Sequence, residues 1–463
     1  MLQLNFRTRK QAFLDKYLTG ESIDYRQIVS LFVPILVDQA FIIGLNMLNT
    51  AMISSSGVAA VSAVNMVDSL NIFLISVFIA VSTGGTVVVA QYKGSGNDLM
   101  VSRAAASAVT SVSLLALLLC VFIGIFHNLT LTALFGSASA DVFSNAKTYL
   151  VGSSLSYMGI ALTEAVCGAL RGIGRTRASL ALSMIMNFSY VLLNVLFINL
   201  LHMGVVGMAL SVNIARYGAA VCALFYLMKM DTNLHVQLQD LLKLNVAMIK
   251  RILLVGIPFA AEQLFFNGGK MLTQVFIVSL GTYAIATNAI CGSIAGVLQI
   301  PANALALTTV TVVGQCMGRR NVEDARKFTK TFLGLSACAC LLMGMIVVPL
   351  FHPIVSLFHP PEAIVPDIFK IVILTSILQI PFWSFSFLMP SALRAAGDSK
   401  FTSIVSMLSM WLFRIVLGYI LGIVLHFGIV GVWLAMNCEW GVRGAIFLRR
   451  FYGKKWYRHR VID

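Results

Sequence analysis

The sequence predicts an all-α integral membrane protein, with twelve transmembrane helices arranged as two parallel six-helix repeats, or lobes, around a central cavity. Composition is the first observation, because 59% of the residues are hydrophobic and only 11% are charged. A soluble domain carries about 25% charged residues. The other two observations are a series of long apolar stretches and an internal repeat. Long repeats in an apolar chain are typical of membrane proteins whose site lies between the repeats.

Twelve mostly apolar stretches of about 20 or more residues are each long enough to cross roughly 30 Å of hydrocarbon as a helix. Residues 1–27 are polar and basic, without the apolar core of a signal peptide, so we expect a cytoplasmic N-terminal segment there. The predicted spans are 28–52, 59–84, 104–127, 148–170, 178–200, 204–228, 250–277, 283–310, 328–350, 367–392, 402–425 and 428–448.

The two halves of the chain repeat the same motifs 224 residues apart. Pro34-x-x-x-Asp38 returns as Pro258-x-x-x-Glu262, each followed by glutamine. Six helices per repeat is an even number, so the second repeat enters the membrane in the same direction as the first. The repeats are therefore parallel and related by a pseudo-twofold axis along the membrane normal. Further matches join Gln91 to Gln315, Gly94 to Gly318, Asn97 to Asn321, His202 to His426 and Asn213 to Asn437, and Arg171 to Arg394 at a shift of 223.

The positive charges predict the orientation in the membrane. Of the 33 lysines and arginines, 27 fall in the termini, in the loops after helices two, four, six, eight and ten, or within the first three residues of the helices that follow those loops. This positive-inside pattern predicts a multi-pass protein of the cell (inner or plasma) membrane with both termini in the cytoplasm. The net charge of +15 therefore does not indicate a nucleic-acid partner. The predicted parts are the N-terminal segment 1–27, the N-lobe 28–228, a cytoplasmic linker 229–249, the C-lobe 250–448 and a basic tail 449–463.

Enzyme and metal motifs are absent from the sequence. It contains no G-x-x-x-x-G-K-[ST] phosphate loop, no H-E-x-x-H and no G-x-S-x-G, so we expect no enzyme activity and no cofactor. The eight cysteines show no metal-ligand spacing and suit packing within apolar helices. If the protein moves a solute uphill, the driving force must be an ion gradient, of H⁺ or Na⁺.

Carboxylates inside the apolar stretches are the candidate cation-coupling residues: Asp38, Asp68, Glu164 and Glu262. A carboxylate in the hydrocarbon is costly unless it faces a cavity or a partner. Burial disfavours its charged form, so it can exchange a proton near neutral pH and alternate between holding and releasing a cation. The alternative is that each acid hydrogen-bonds within its own lobe, for Asp38 and Glu262 where the preceding proline frees a backbone carbonyl.

Polar and aromatic residues near these acids are the candidate substrate-binding groups. For the asparagines and glutamines among them, the alternative is hydrogen bonding between helices. For Trp383, the alternative is packing in the core or against lipid. Lys270 could also neutralise Glu439. We expect Arg216, Arg414 and Arg443 to form internal ion pairs, with contact to an anionic substrate as the alternative. The candidates are Gln39, Asn46, Asn49, Gln263, Asn267, Lys270 and Trp383.

The motifs together resemble the multidrug and toxic compound extrusion (MATE) family, in its prokaryotic form. The resemblance rests on Pro34-x-x-x-Asp38, on the run Val-Val-Val-Ala-Gln-Tyr-Lys-Gly at 87–94, on Leu-Arg-Gly-Ile-Gly at 170–174 and on the double repeat, and it covers about residues 25–450. It implies a proton- or sodium-coupled antiporter that exports small, often cationic, amphipathic compounds by alternating access of two lobes. We expect small-molecule substrates, contact with membrane lipid and a monomer.

One departure from the family concerns the coupling acid. Many prokaryotic members carry an N-x-x-D-T stretch late in helix one, whose aspartate takes part in cation coupling. The matching stretch here runs from Asn46 to Thr50 and has Asn49 in place of that aspartate. An amide cannot titrate, so Asp38, Asp68 or Glu262 is expected to take over the role.

Two other functions remain open at this stage. A flippase for lipid-linked saccharides has a related architecture but favours a strongly cationic cavity, whereas the prominent groups here are mainly acidic. A narrow-specificity metabolite exporter would share every feature described above.

Overall fold

The computed structural model describes residues 15–53, 58–135, 140–230, 234, 236–459, 461 and 462, with the side chains of 46–53, 58, 59, 61, 133–135, 230 and 242 outside that description. Helices are the only regular elements in these ranges. The first half contains α1 (Tyr25–Ile53), α2 (Val58–Ser95), α3 (Asp98–Phe135), α4 (Ala140–Leu155), α5 (Tyr157–Ile173), α6 (Thr176–Asn194), α7 (Gly204–Phe225) and α8 (Leu238–Leu242). The second half contains α9 (Val246–Ser279), α10 (Thr282–Leu298), α11 (Ile300–Gly318), α12 (Val322–Val347), α13 (Phe351–Ser356), α14 (Val365–Trp383), α15 (Met389–Ala395), α16 (Ser399–Ser409) and α17 (Gly428–Tyr452).

Nine helical segments of the described chain are long and apolar enough to cross a membrane, and the pair α4 and α5, bent by 42°, would make a tenth. The helices α9 and α17, of 34 and 25 residues, are also long and carry charged side chains along their length. The protein is therefore all-helical with several membrane-spanning helices. The nine segments are Tyr25–Leu45, Ser62–Ser95, Asp98–Thr132, Thr176–Leu200, Gly204–Lys229, Ile300–Gly318, Val322–Val347, Glu362–Ala395 and Ser399–Val424.

Exposed apolar side chains on α3 fit a lipid environment. Leu118, Val121, Phe122 and Ile125 are all more than half exposed, although nothing in a water-soluble fold would favour this. Such a stripe indicates a surface that faces hydrocarbon rather than water.

The sequence repeat is visible in the backbone. His202 and His426 both have positive φ, at 51° and 56°, and the glycines two residues later follow them at 55° and 58°. Asn97 and Asn321 both accept a hydrogen bond at a helix start, from the backbone N–H of the residue three positions later. Equivalent turns and caps therefore begin equivalent helices in the two halves.

The chain divides into two compact units. The first unit is Ala40–Gln263, and the second unit combines Met1–Gln39 with Leu264–Asp463. Both divisions fall inside a helix, α1 or α9, directly after the repeated Pro-x-x-x-acid-Gln motif. The division thus differs from the lobes 28–228 and 250–448 expected from the sequence, because the first part of each of these helices groups with the other half of the chain.

Glycine permits a close helix contact in the first unit. A Cβ on Gly84 of α2 would lie 2.6 Å from the carbonyl oxygen of Ile252 in α9, and one on Gly256 would lie 3.0 Å from the Cα of Val81. The first distance is too short for a side chain at Gly84, and the second would make a tight contact at Gly256. This contact explains why the first part of α9 belongs to the first unit.

The start of the chain is held in the second unit by polar and apolar contacts. The backbone N–H of Ser22 donates to Asp324 Oδ2 at 2.7 Å, and Lys327 Nζ donates to the carbonyl of Thr19 at 2.6 Å. Leu18, Ile23, Ile28 and Leu31 are buried in a core that includes the aromatic side chains Phe328, Phe332, Phe447, Phe451 and Trp456.

Candidate functional site

Asp68 on α2 lies at the centre of a polar network in the first unit. Tyr149 Oη donates to Asp68 Oδ1 at 2.9 Å, and Asn71 Nδ2 donates to the same oxygen at 3.2 Å. Asp68 is half-buried, whereas Asn71 and Tyr149 are buried. The carboxylate is therefore held by two neutral donors inside an apolar helix bundle.

The network continues beyond Asp68 through Asn71. Asn71 Oδ1 accepts hydrogen bonds from Tyr157 Oη at 2.7 Å and from Ser153 Oγ at 3.2 Å. These bonds fix the amide so that its nitrogen faces the carboxylate. Tyr190 interacts with Tyr149 at the edge of the same network.

Arg216 on α7 is the basic group near this network. Its Nη1 donates to Ser156 Oγ at 2.7 Å, and its charge interacts electrostatically with Asp68. Within the described residues the two groups form no direct ion pair. The expected internal ion pair of Arg216 is thus replaced by a hydrogen bond to a serine.

Glu164 on α5 has a charged partner instead. Its carboxylate forms an ion pair with Arg171 at 3.6 Å, about two turns further towards the end of the same helix. The backbone carbonyl of Glu164 accepts from Ser82 Oγ at 2.8 Å, which joins α5 to α2. Glu164 and the Asp68 network both contact α2 but through different partners.

Asp38 and Glu262 occupy equivalent positions in α1 and α9. Each is buried, with 8% of its surface exposed, and each lies one residue before a division between the units. The adjacent Gln39 and Gln263 are half-buried.

The remaining predicted binding residues fall in different surroundings. The side chains of Asn46 and Asn49 lie outside the described part of the chain. Asn267 is half-buried, and Lys270 places its Nζ 4.7 Å from the centre of the Phe266 ring.

Trp383 is packed inside the second unit. Its ring stacks on Phe387 at 3.7 Å and meets Trp440 edge-on at 4.8 Å, and it is buried beside Ala302 and Cys340. In this arrangement the indole stabilises the contact between α14 and α17.

Glu439 on α17 binds two arginines in the second unit. Arg414 Nε donates to Glu439 Oε2 at 2.6 Å, and Arg443 Nη1 lies 3.1 Å from Oε1. The glutamate is fully buried and the arginines are almost fully buried. Internal ion pairing of Arg414 and Arg443 is thereby confirmed, whereas Lys270 interacts with Glu439 only at longer range.

The sequence reasoning missed the tyrosines and the serine of the first-unit network. Tyr149, Ser153 and Tyr157 are spaced four residues apart, which places them on one side of a helical segment. Asp68 and Asn71, three residues apart, share a face of α2 in the same way. A search for polar side chains at helical spacing within apolar stretches would have found both sets.

Comparison with known proteins identifies the family. The MatE family matches residues 34–216 and 258–420, which are most of the chain and lie in both repeats. The chain belongs to the MatE family. MatE proteins are transporters, so this protein is a membrane transporter and not an enzyme.

Full-length relatives and solved MatE structures agree with this assignment. The chain is 26% identical over 436 residues to "Uncharacterized transporter YisQ" of Bacillus subtilis, covering 92% of this chain and 94% of that protein. It is 25% identical over 470 residues to "Probable multidrug resistance protein NorM" of Thermotoga maritima, covering 98% of both. A crystallographic neighbour, the "Outward-facing conformation of a multidrug resistance MATE family transporter of the MOP superfamily", superposes with a TM-score of 0.84 at 17% identity, over 92% of this chain and 95% of that one.

Proposed function

We propose that this protein is an ion-coupled antiporter, driven by protons or sodium, that exports small, often cationic, amphipathic compounds. Twelve helices form two parallel six-helix lobes, 28–228 and 250–448, which alternate access to a central cavity. The transporter acts as a monomer in the lipid of the cell membrane, with both termini in the cytoplasm. Relatives named as multidrug resistance proteins support export of drug-like compounds.

The Asp68 network is the observation that carries this proposal. Its carboxylate contacts a tyrosine hydroxyl and an amide, and neither partner carries a charge. A hydroxyl can donate or accept a hydrogen bond, so the network accommodates both the ionised and the protonated acid. Asp68 can therefore alternate between a cation-binding form and a proton-loaded form.

The other intramembrane acids are less suited to this exchange. A guanidinium only donates hydrogen bonds and stays charged, so it favours a permanently ionised partner. Glu164 contacts Arg171, and Glu439 contacts Arg414. We assign these two acids to structural ion pairs.

Asp38 and Glu262 are two further coupling acids in this proposal. Each is buried and follows a proline by four residues inside a long helix. We place the hinges of alternating access at Pro34 and Pro258, because a proline interrupts the helical hydrogen bonds there. Gln39, Gln263 and Asn267 are the polar side chains that would accompany a substrate along these helices.

The alternatives are not favoured by the family relationships. A flippase for lipid-linked saccharides and a narrow metabolite exporter share the architecture, but the named relatives with full-length similarity are multidrug resistance proteins or an uncharacterized transporter.

Efflux from proteoliposomes tests the proposal. A fluorescent organic cation is loaded, and a pH gradient and a sodium gradient are imposed in separate experiments. Efflux driven by one gradient is expected for the wild type. Asp68→Asn should reduce it to the rate of protein-free liposomes, and Asp38→Asn and Glu262→Gln should each reduce it in part.

Asp98→Asn is the matched control, because this aspartate is exposed at the start of α3, where it pairs with surface Lys93. It should transport as the wild type does. Full gradient-driven efflux by Asp68→Asn would refute the coupling role, and absence of efflux under both gradients would favour the flippase or the narrow exporter.

A further inference from the structure

A cavity of about 310 Å³ lies within the second unit, beside the Glu439 cluster. This volume is in the range of small-molecule sites. The lining residues come from α9, α10 and α17 and from the π-helical segment Met410–Leu417. They are Lys270, Thr273, Gln274, Ile277, Asn288, Gly292, Arg414, Val432, Trp433 and Met436.

The charged side chains of this cavity are basic. Lys270 and Arg414 line it, and no acidic residue is among the described lining residues. Arg414 is balanced by Glu439, but Lys270 forms no ion pair within the described chain. Both basic groups lie over the same ring, at 4.7 Å and 5.1 Å from the centre of Phe266. The Lys270 side chain is exposed and lines the cavity, so an anion bound there can pair with it directly.

The neutral polar groups of the cavity also present donors. The indole Nε1 of Trp433 donates to Asn288 Oδ1 at 3.1 Å. An indole N–H only donates, so the Asn288 oxygen must be the acceptor. Asn288 Nδ2 then donates to Gln274 Oε1 at 3.2 Å. These two hydrogen bonds orient the Gln274 amide, with its oxygen accepting from Asn288. Among the described residues, the Gln274 N–H groups are the last donors of this series.

The rest of the wall is apolar. Ile277, Val432 and Met436 line it together with the ring of Trp433. A ligand that fits this cavity has one anionic end for Lys270, Arg414 and Gln274 and an apolar body for the apolar lining residues.

We propose that this cavity binds an amphipathic organic anion, with a carboxylate held by Lys270, Arg414 and Gln274. The site is built from residues of the second unit alone. It goes beyond the proposed export of cations and does not depend on transport.

Gly292 offers a decisive substitution. The 224-residue shift of the repeat, which holds on both sides of this position, aligns Gly292 with Asp68. A Cβ added at Gly292 would meet no atom within 4 Å, so larger side chains fit there. Gly292→Asp adds a competing carboxylate to the cavity, and Gly292→Asn adds the same bulk without charge.

Equilibrium binding of 2-naphthoate, 2-naphthylmethanol and 2-naphthylmethylammonium tests the site. The purified full-length protein is held in nanodiscs of neutral phosphatidylcholine. Naphthoate should bind at least about tenfold more tightly than the alcohol or the ammonium compound, since a charge-assisted hydrogen bond contributes that much or more. Lys270→Gln and Gly292→Asp should each weaken naphthoate binding about tenfold or more.

Two variants serve as controls. Gly292→Asn should bind naphthoate within about threefold of the wild type, as should Lys370→Gln, which removes an exposed lysine of the same unit. Equal binding of the three probes to the wild type would overturn the proposal. So would equal effects of Gly292→Asp and Gly292→Asn. Neither result bears on cation efflux, so failure of this site and failure of the proposed antiport are distinguishable.

Discussion

The two units of this transporter differ in the partners that surround their buried acids. In the first unit, Asp68 is an acid held by neutral donors, and its nearest basic group, Arg216, bonds to a serine. In the second unit, Glu439 is paired with two arginines, and the described lining of the cavity beside it includes Lys270 but no acid. The first arrangement permits a change of protonation, whereas the second fixes an ionised carboxylate.

Aligned positions show how the repeats diverged. At the shift of 224 residues, Asp68 aligns with Gly292 and Asn46 aligns with Lys270. The shared motifs lie at turns, caps and helix starts, where the backbone conformation restricts the residue. The two halves therefore share residues at turns and helix starts, but they differ at two charged positions inside the helices, Asp68 in the first half and Lys270 in the second.

Glu439→Gln should produce the largest effect and tests the difference directly. The change removes the carboxylate that Arg414 and Arg443 both contact in a buried position. Breaking a buried ion pair from one side costs about 3–5 kcal/mol, so the free energy of unfolding should fall by that amount. Thermal unfolding of the purified protein in detergent would measure it.

Asp68→Asn is the control in the same assay. The new amide oxygen can still accept from Tyr149 and Asn71, so the free energy of unfolding should change by about 1 kcal/mol or less. Equal losses for the two variants would mean that both acids are structural, and the contrast between the units would be lost.

Much of the architecture could be predicted from the sequence. Apolar length predicts membrane-spanning helices, and the match of His202 to His426 predicts equivalent turns, which the positive φ angles confirm. The grouping of residues before Gln39 with the second half could not be predicted. It depends on contacts such as that of Ser22 with Asp324, more than 300 residues away in the chain.

The site was predictable only in part. A charge inside an apolar stretch is conspicuous, so Asp68 and Glu164 could be singled out from their positions in the sequence. The partner of Asp68 could not be, because Tyr149 lies 81 residues away in the chain, on another helix that only the fold brings close. Trp383 was predicted to bind substrate, but its ring packs against Phe387. A run of aromatic residues in the sequence does not distinguish a ring that lines a cavity from one that packs in the core.

Gly84→Thr should have an intermediate effect on the free energy of unfolding, and it tests the close contact between α2 and α9. The aligned residue of the second repeat is Thr308, so the variant gives the first unit the side chain of the second. A Cβ at this position would meet the Ile252 carbonyl at 2.6 Å. Overpacking of this kind costs about 1–3 kcal/mol, to be measured by thermal unfolding.

Gly124→Thr is its control, because a Cβ on this glycine of α3 meets no atom within 4 Å. It carries the same change in helix propensity without the clash. A Gly84→Thr protein as stable as the Gly124→Thr protein would show that α2 and α9 can separate without loss of stability.

Tyr149→Phe and Glu164→Gln form the finest comparison, within the first unit. Tyr149→Phe removes one of the two donors to Asp68, a bond of about 0.5–1.5 kcal/mol, and should slow gradient-driven efflux roughly two- to tenfold. Glu164→Gln removes a partly exposed ion pair with Arg171, which contributes about 0–1 kcal/mol to stability, and should leave the efflux rate near that of the wild type. Initial rates in the proteoliposome assay measure both. The reverse order, with Glu164→Gln slower than Tyr149→Phe, would transfer the coupling role from Asp68 to Glu164, because the ion pair and not the neutral network would then control transport.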